Sequence, residues 1–347
     1  MKKYFKKSKC KKIHDRRAKR IGASPSRTKK YNPDRLPFYQ RYKYDFIKAE
    51  PVVAPENICL LSETKGCLQF FTELRKVKSI SKIGRECFVE MDLSEVKKFD
   101  YSSICVLIAI IRDLKSKKIF LRGNYPKDEL CKKQIIESGL LTFMYDKNGN
   151  PFKKSEKSDL LFIEKGAKIL KREDNIIISE TIKNAVKHLT GEDKHLPKLR
   201  TILLEICGNS IEWGGTLNKQ WLFGVKYEEE KAIFTITDVG KGILKTLNKK
   251  WKDKLSDVFT LNPDDEILKG AFVKKYGSSS HKINRNKGLP SVKNGFDKGV
   301  IKNLKVLTNN VILHYGDQES SEVLKEHYFG GTLYRWELTK ETIKRAS

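Results

Sequence analysis

The chain has 347 residues, 39% hydrophobic and 33% charged, which is enough apolar material for a core and a length of two or three domains. Its longest apolar run, Ile104–Ile111, falls far short of the roughly 20 residues that span a bilayer, and no apolar stretch follows the Lys-rich start, so neither a membrane span nor a secretory signal is expected. Lys and Arg outnumber Asp and Glu by 71 to 43, a net charge of +28, and residues 1–50 alone carry +14 of it.

That basic run leads into an aromatic and basic patch, Tyr39–Phe46, in which Tyr and Phe can stack on bases while Lys and Arg neutralise phosphates. Residues 1–50 are expected to form a basic, partly disordered arm. RNA or DNA is the expected partner of residues 1–48, in a sequence-tolerant way that weakens with salt. The alternative for this stretch is a solubilising arm with no ligand. Seven cysteines without a CxxC pair argue against a zinc ribbon or disulfide scaffold and for a reducing, cytoplasmic setting.

From residue 51 to 145 the pattern alternates strand and helix. A short strand is expected over 58–61, then a helix over 64–80 with Leu68, Phe71, Leu74, Val77 and Ile80 on one face. A strand at 87–93, an apolar helix at 102–115, a strand at 118–122 and a polar helix at 126–138 complete a small α/β layer. Residues 146–175, rich in Lys, Asn and Gly, read as a linker. Residues 176–347 begin with helices at about 177–190 and 195–213. Strands follow at 220–227, 231–237, 303–307, 310–315 and 331–338, an α+β sandwich.

Four spaced signals lie in this last part. Glu205 and Asn209 are four residues apart and share one face of a helix otherwise lined by Leu199, Ile202, Leu203 and Ile206. Asp238-Val-Gly240-Lys-Gly242-Ile243 follows a strand directly, and its glycines let a backbone approach a ligand. A polar stretch from Gly277 carries Arg285, Lys287, Gly288 and Leu289 into a helix whose first amides suit phosphate oxygens. Gly330-Gly331-Thr332 leads into the last strand.

Each signal is weak alone, but in this order they resemble the Bergerat-fold ATPases, the group that includes gyrase, histidine kinases, anti-sigma kinases and mismatch-repair ATPases. The resemblance covers about 177–340. It implies ATP and Mg²⁺ as ligands, Glu205 as the residue that activates water, and Asn209 as the metal ligand. Glu212 stands where an acid often follows that Asn. Asp238 would accept a hydrogen bond from the adenine amine, with Thr332 beside it, while Gly240, Gly242 and Ile243 line the nucleotide. Lys287, Gly288 and Leu289 would form a phosphate loop, although Asn286-Lys287-Gly288-Leu289 departs from the usual Gly-x-Gly-Leu.

The earlier segment Val89–Ile111, with Asp92-Leu93-Ser94 and Asp100-Tyr101-Ser102-Ser103, is similar to the sulfate transporter and anti-sigma antagonist (STAS) domain. That likeness makes Ser102 and Ser103 candidate phosphoacceptors, against the simpler reading that Asp100 or a neighbouring Ser caps the helix. It also implies a protein partner, with homodimerisation left open. The expected architecture is therefore α/β and α+β: a STAS-like domain, then a Bergerat-fold ATPase sandwich. The expected function is a nucleotide-dependent switch with slow ATP hydrolysis. The alternatives are a serine kinase and a nucleic-acid-binding module with a non-hydrolysing site.

Overall fold

The computed structural model describes residues 49–83, 86–146, 148–152, 161–166, 170–213, 220–251, 262–273 and 288–346. The basic arm 1–48 lies outside them, as do Arg285 and Lys287. They build a mixed α/β structure in which two sheets share one long helix.

The first sheet is organised around β4 (Glu86–Asp92), whose Cys87, Val89 and Met91 alternate inward. Strand β6 (Ile119–Gly123) runs parallel along one edge of β4. On the other edge β3 (Ile80–Ile83) pairs antiparallel, and β1 (Val52–Val53) pairs parallel at the end of β4. A two-stranded pair, β2 (Asn57–Ile58) with β5 (Lys98–Phe99), lies beside it.

Helix α1 spans Thr64–Leu74 and ends there, short of residue 80. Val77–Ser79 form a 3₁₀ turn and Ile80 starts β3, because pairing with Val89 outweighs the helical spacing of Val77 and Ile80. Ile58 is the last residue of β2, and residues 60–62 turn rather than extend. Helix α3 (Glu129–Glu137) starts at its Asp128 cap, whose side chain accepts the Cys131 N–H at 2.7 Å, not directly after Pro126.

Helix α2 (Tyr101–Ser116) explains the apolar run. Asp100 caps it by accepting the Ser103 N–H at 2.6 Å, and every residue from Ile104 to Ile111 is buried. A helix that is apolar all round must be covered all round. One side of α2 meets β6, and another meets the second sheet at β8 (Trp221–Tyr227) and β9 (Lys231–Asp238).

The second sheet has seven antiparallel strands. In order across it run β12 (Ser320–Val323), β11 (Val311–Tyr315), β10 (Lys302–Asn309), β13 (Phe329–Thr339), β9, β8 and β7 (Leu161–Gly166). Strand β7 corrects the linker expectation, since part of 146–175 is an edge strand with Leu161 opposite Lys226 and Gly166 opposite Trp221. One face of the sheet packs under α4 (Arg172–Thr190) and α5 (Pro197–Trp213) through Phe223, Val225, Phe234, Ile236, Tyr334 and Trp336. Phe223, Phe234 and Trp336 stack in series, with ring centroids 5.9 and 5.6 Å apart.

The opposite face receives α2. Gly224 makes this possible: a Cβ there would stand 2.6 Å from the Tyr101 hydroxyl oxygen and 2.9 Å from Cys105 Sγ. Tyr101 donates instead to the Val225 carbonyl at 3.1 Å. Both faces of β9 are thus covered, and every residue from Ala232 to Asp238 is buried.

Candidate functional site

Helix α5 begins on Pro197, where a missing N–H costs nothing, and buries Leu199, Ile202, Leu203, Ile206 and Cys207. Glu205 and Asn209 sit half-buried on the same helix, and among the described residues neither side chain makes a hydrogen bond. The side chain of Glu212 lies outside the described residues.

One residue beyond Asn209, Ser210 is 5% exposed and donates its hydroxyl to Asp238 Oδ2 at 3.0 Å. That contact ties α5 to the end of β9. The other carboxylate oxygen, Oδ1, accepts the Gly240 N–H at 2.9 Å. Burial pushes the Asp238 carboxyl up to about 6, against the opposing pull of the Gly240 amide, the Ser210 hydroxyl and the nearby Arg75 charge. Each carboxylate oxygen has a second lone-pair direction, so Asp238 retains capacity to accept from a ligand.

Two further motif residues converge here. Thr332 is the cross-strand partner of Asp238, and Thr308 is the partner of Thr332, so the three side chains lie in one row on the face that α5 covers. The Thr308 and Thr332 hydroxyl oxygens are 3.3 Å apart. Gly288, the first residue of α7 (Gly288–Asp297), is so close to Asn209 that a Cβ would stand 2.3 Å from the amide nitrogen. A side chain at 288 would have to displace Asn209, while the adjoining Leu289 is half-buried against the core.

The loop after Asp238 has a second purpose that its sequence conceals. Gly242 takes φ 78°, and a Cβ on it would meet Asn309 Nδ2 at 2.3 Å. Asn309 and its neighbour Thr308 cap α6 (Ile243–Trp251) from across the fold. Thr308 Oγ1 accepts the Ile243 N–H at 2.9 Å, and Asn309 Oδ1 accepts the Leu244 N–H at 2.9 Å. Asn309 Nδ2 also donates to the Lys241 carbonyl at 2.8 Å. The Ile243 amide is therefore engaged by protein, and Gly242 serves the turn as well as any close ligand approach.

The first sheet's layer reaches this loop through Arg75, the C-cap residue of α1. Its guanidinium donates to the Val239 carbonyl at 2.7 Å and the Gly330 carbonyl at 2.9 Å, and lies 3.8 Å from the buried Asp113 carboxylate. Arg75, Ser210, Thr308 and Asn309 were not singled out by sequence. Ser210 carried a signal in its position next to Asn209, but the others act through tertiary contacts alone.

Ser103 is fully buried, and its Oγ accepts the Leu60 N–H at 2.9 Å, so it braces the α2 start. Ser102 is 4% exposed and lines a cleft. Asp92 likewise holds its own turn, accepting from Ser94 N–H at 2.9 Å and Asn124 Nδ2 at 2.6 Å.

No protein-family model matches the chain, and no curated protein matches it significantly. Among the described residues no group of three or more His, Cys, Asp or Glu side chains could hold a metal ion, and no helix is long and apolar enough to cross a membrane.

Proposed function

We propose that the part from β7 to the chain's last strand is a Bergerat-type nucleotide site, that the first layer is STAS-like, and that the protein binds Mg-ATP as a slowly hydrolysing conformational switch. The observation carrying this reading is convergence. Ser210 beside Asn209 meets Asp238, Thr332 pairs with Asp238, and Gly288 packs on Asn209, so segments as far apart as Asn209 and Thr332, 123 positions, assemble one polar wall.

In this reading Asp238 accepts the adenine amine, and Thr332 flanks it. Asn209 offers one neutral oxygen to Mg²⁺, a donor set that fits an ion held mainly by water and phosphate oxygens. When bound, the ion would neutralise charge developing on the terminal phosphate. Glu205, one helical turn before Asn209, would orient or deprotonate the attacking water. Arg75 supports the switch, since it links the 238–242 loop and the start of β13 to α1. Serine phosphorylation within the chain is the weaker reading, because Ser102 and Ser103 are both buried.

The test is incubation of the full chain with Mg²⁺ and γ-labelled ATP. The switch predicts labelled free phosphate and no labelled protein. Label on the protein would establish the kinase instead, and no reaction would remove the hydrolysis step.

A further inference from the structure

A cleft of about 560 Å³ separates the start of α2 from the face of the second sheet that α2 leaves uncovered. It opens on the face opposite α5 and Asp238. The strand registers place His314, Lys305 and Arg335 side by side here, because Lys305 is the cross-strand partner of both. Like charges directly opposite one another destabilise a sheet. Lys98 and Lys226 also line the cleft.

The acids present answer only part of this charge: Glu228 pairs with Lys226 at 2.6 Å, while Glu337 and Asp100 favour the charged Lys305 without bonding to it. Glu337 is already engaged by Lys231 at 3.0 Å, Arg335 at 3.0 Å and the Asn303 amide at 2.8 Å. Asp100 is committed to the Ser103 N–H. Among the described residues Lys305 makes no hydrogen bond or ion pair, although it is only half exposed to water. Burial and the facing Arg335 lower its affinity for a proton, and burial with Lys305 and Arg335 does the same to His314. The cleft also carries neutral donors in Ser102 and Asn303, and apolar walls in Phe99 and Ile233. Its size matches sites for small organic ligands.

We infer that this cleft is a binding site for a phosphate-bearing anion, held by Lys305 and Arg335 at its charged end with room for a small organic group against Phe99 and Ile233. The anion supplies the counter-charge that Lys305 lacks, since Arg335 already pairs with Glu337 at 3.0 Å. The site is separate from the proposed nucleotide site and does not depend on it.

The experiment follows the histidine ring protons of the full chain by NMR across about pH 5 to 8, with His314 assigned through His314→Gln. Sodium phosphate and phenyl phosphate are titrated at constant ionic strength. Either anion should raise the His314 pKa saturably. Tighter binding of phenyl phosphate identifies an organic phosphomonoester as the ligand, and equal binding identifies free phosphate. Lys305→Met, which removes a side chain without a partner, should melt no lower than the parent and bind about ten- to a hundredfold more weakly. Asp238→Asn should leave the response intact. The inference is overturned if His314 does not respond below about 10 mM anion. An unchanged response in Lys305→Met, or a lost one in Asp238→Asn, overturns it equally.

Discussion

Replacing Arg75 with Met tests whether the first layer is energetically part of the Asp238 loop. The guanidinium makes two hydrogen bonds to carbonyls, at 2.7 and 2.9 Å, and its side chain is 27% exposed. A hydrogen bond from a charged donor contributes about 1.5–3 kcal/mol net, and partial exposure lets water replace some of it. Asp113 adds little to the loss, because it keeps Lys117 at 2.6 Å. The expected destabilisation is therefore about 2–4 kcal/mol, read by urea denaturation of parent and variant. Amide exchange should speed up at residues 239–242 and 329–332 and stay unchanged along β11 and β12. A loss below about 0.5 kcal/mol, the level of ordinary surface substitutions, would refute the reasoning. So would exchange that rises evenly over the second sheet.

Three other outcomes follow from the same contacts. Gly224→Val should cost about 1–3 kcal/mol by forcing α2 away from the sheet, with loss of the Tyr101–Val225 bond, as checked by denaturation. The Asp238 carboxyl, raised to about 6 in the fold from about 3.9 unfolded, binds more protons natively between those values, so its contribution falls as pH rises through about 4 to 6. Asp238→Asn should thus gain stability relative to the parent over that window, and parental Mg-ATP affinity should weaken below about pH 6. Glu205→Ala should bind Mg-ATP like the parent yet hydrolyse it about 10²–10⁴-fold more slowly, as measured by phosphate release.

Much of the core was legible because its periods are strong. The alternation of Cys87, Val89 and Met91, the run Ile104–Ile111, and the strand before Asp238 all appear within a residue or two of their expected places. The Asp100 cap was also readable, since Asp followed by Tyr-Ser-Ser supplies an acceptor to an apolar helix. Edge strands were not. Strand β7 has only the short run Leu161-Phe162-Ile163 after a charged stretch, and β12 is Ser-Ser-Glu-Val, which pairing alone makes a strand.

The site divided in the same way. Asp238, Asn209 and Gly288 stand in spaced motifs, whereas Arg75 reaches Val239 over 164 positions and Asn309 caps α6 over 65. Such contacts depend on how sheets stack, and no local pattern encodes them. Helices followed by antiparallel strands read as an α+β sandwich; to that the structure adds α2, which covers the sheet's other face where Gly224 leaves room for it.

The proposal that Asn209 and Asp238 belong to one nucleotide site is tested by isothermal calorimetry of the full chain with Mg-ATP, comparing the parent with Asn209→Ala and Asp238→Asn. The parent should show saturable one-to-one binding. Asp238→Asn should bind more weakly by about ten- to a hundredfold, as for a lost charged hydrogen bond, and Asn209→Ala should lose its dependence on Mg²⁺. Parental affinity in both folded variants, or no binding by the parent, would contradict it.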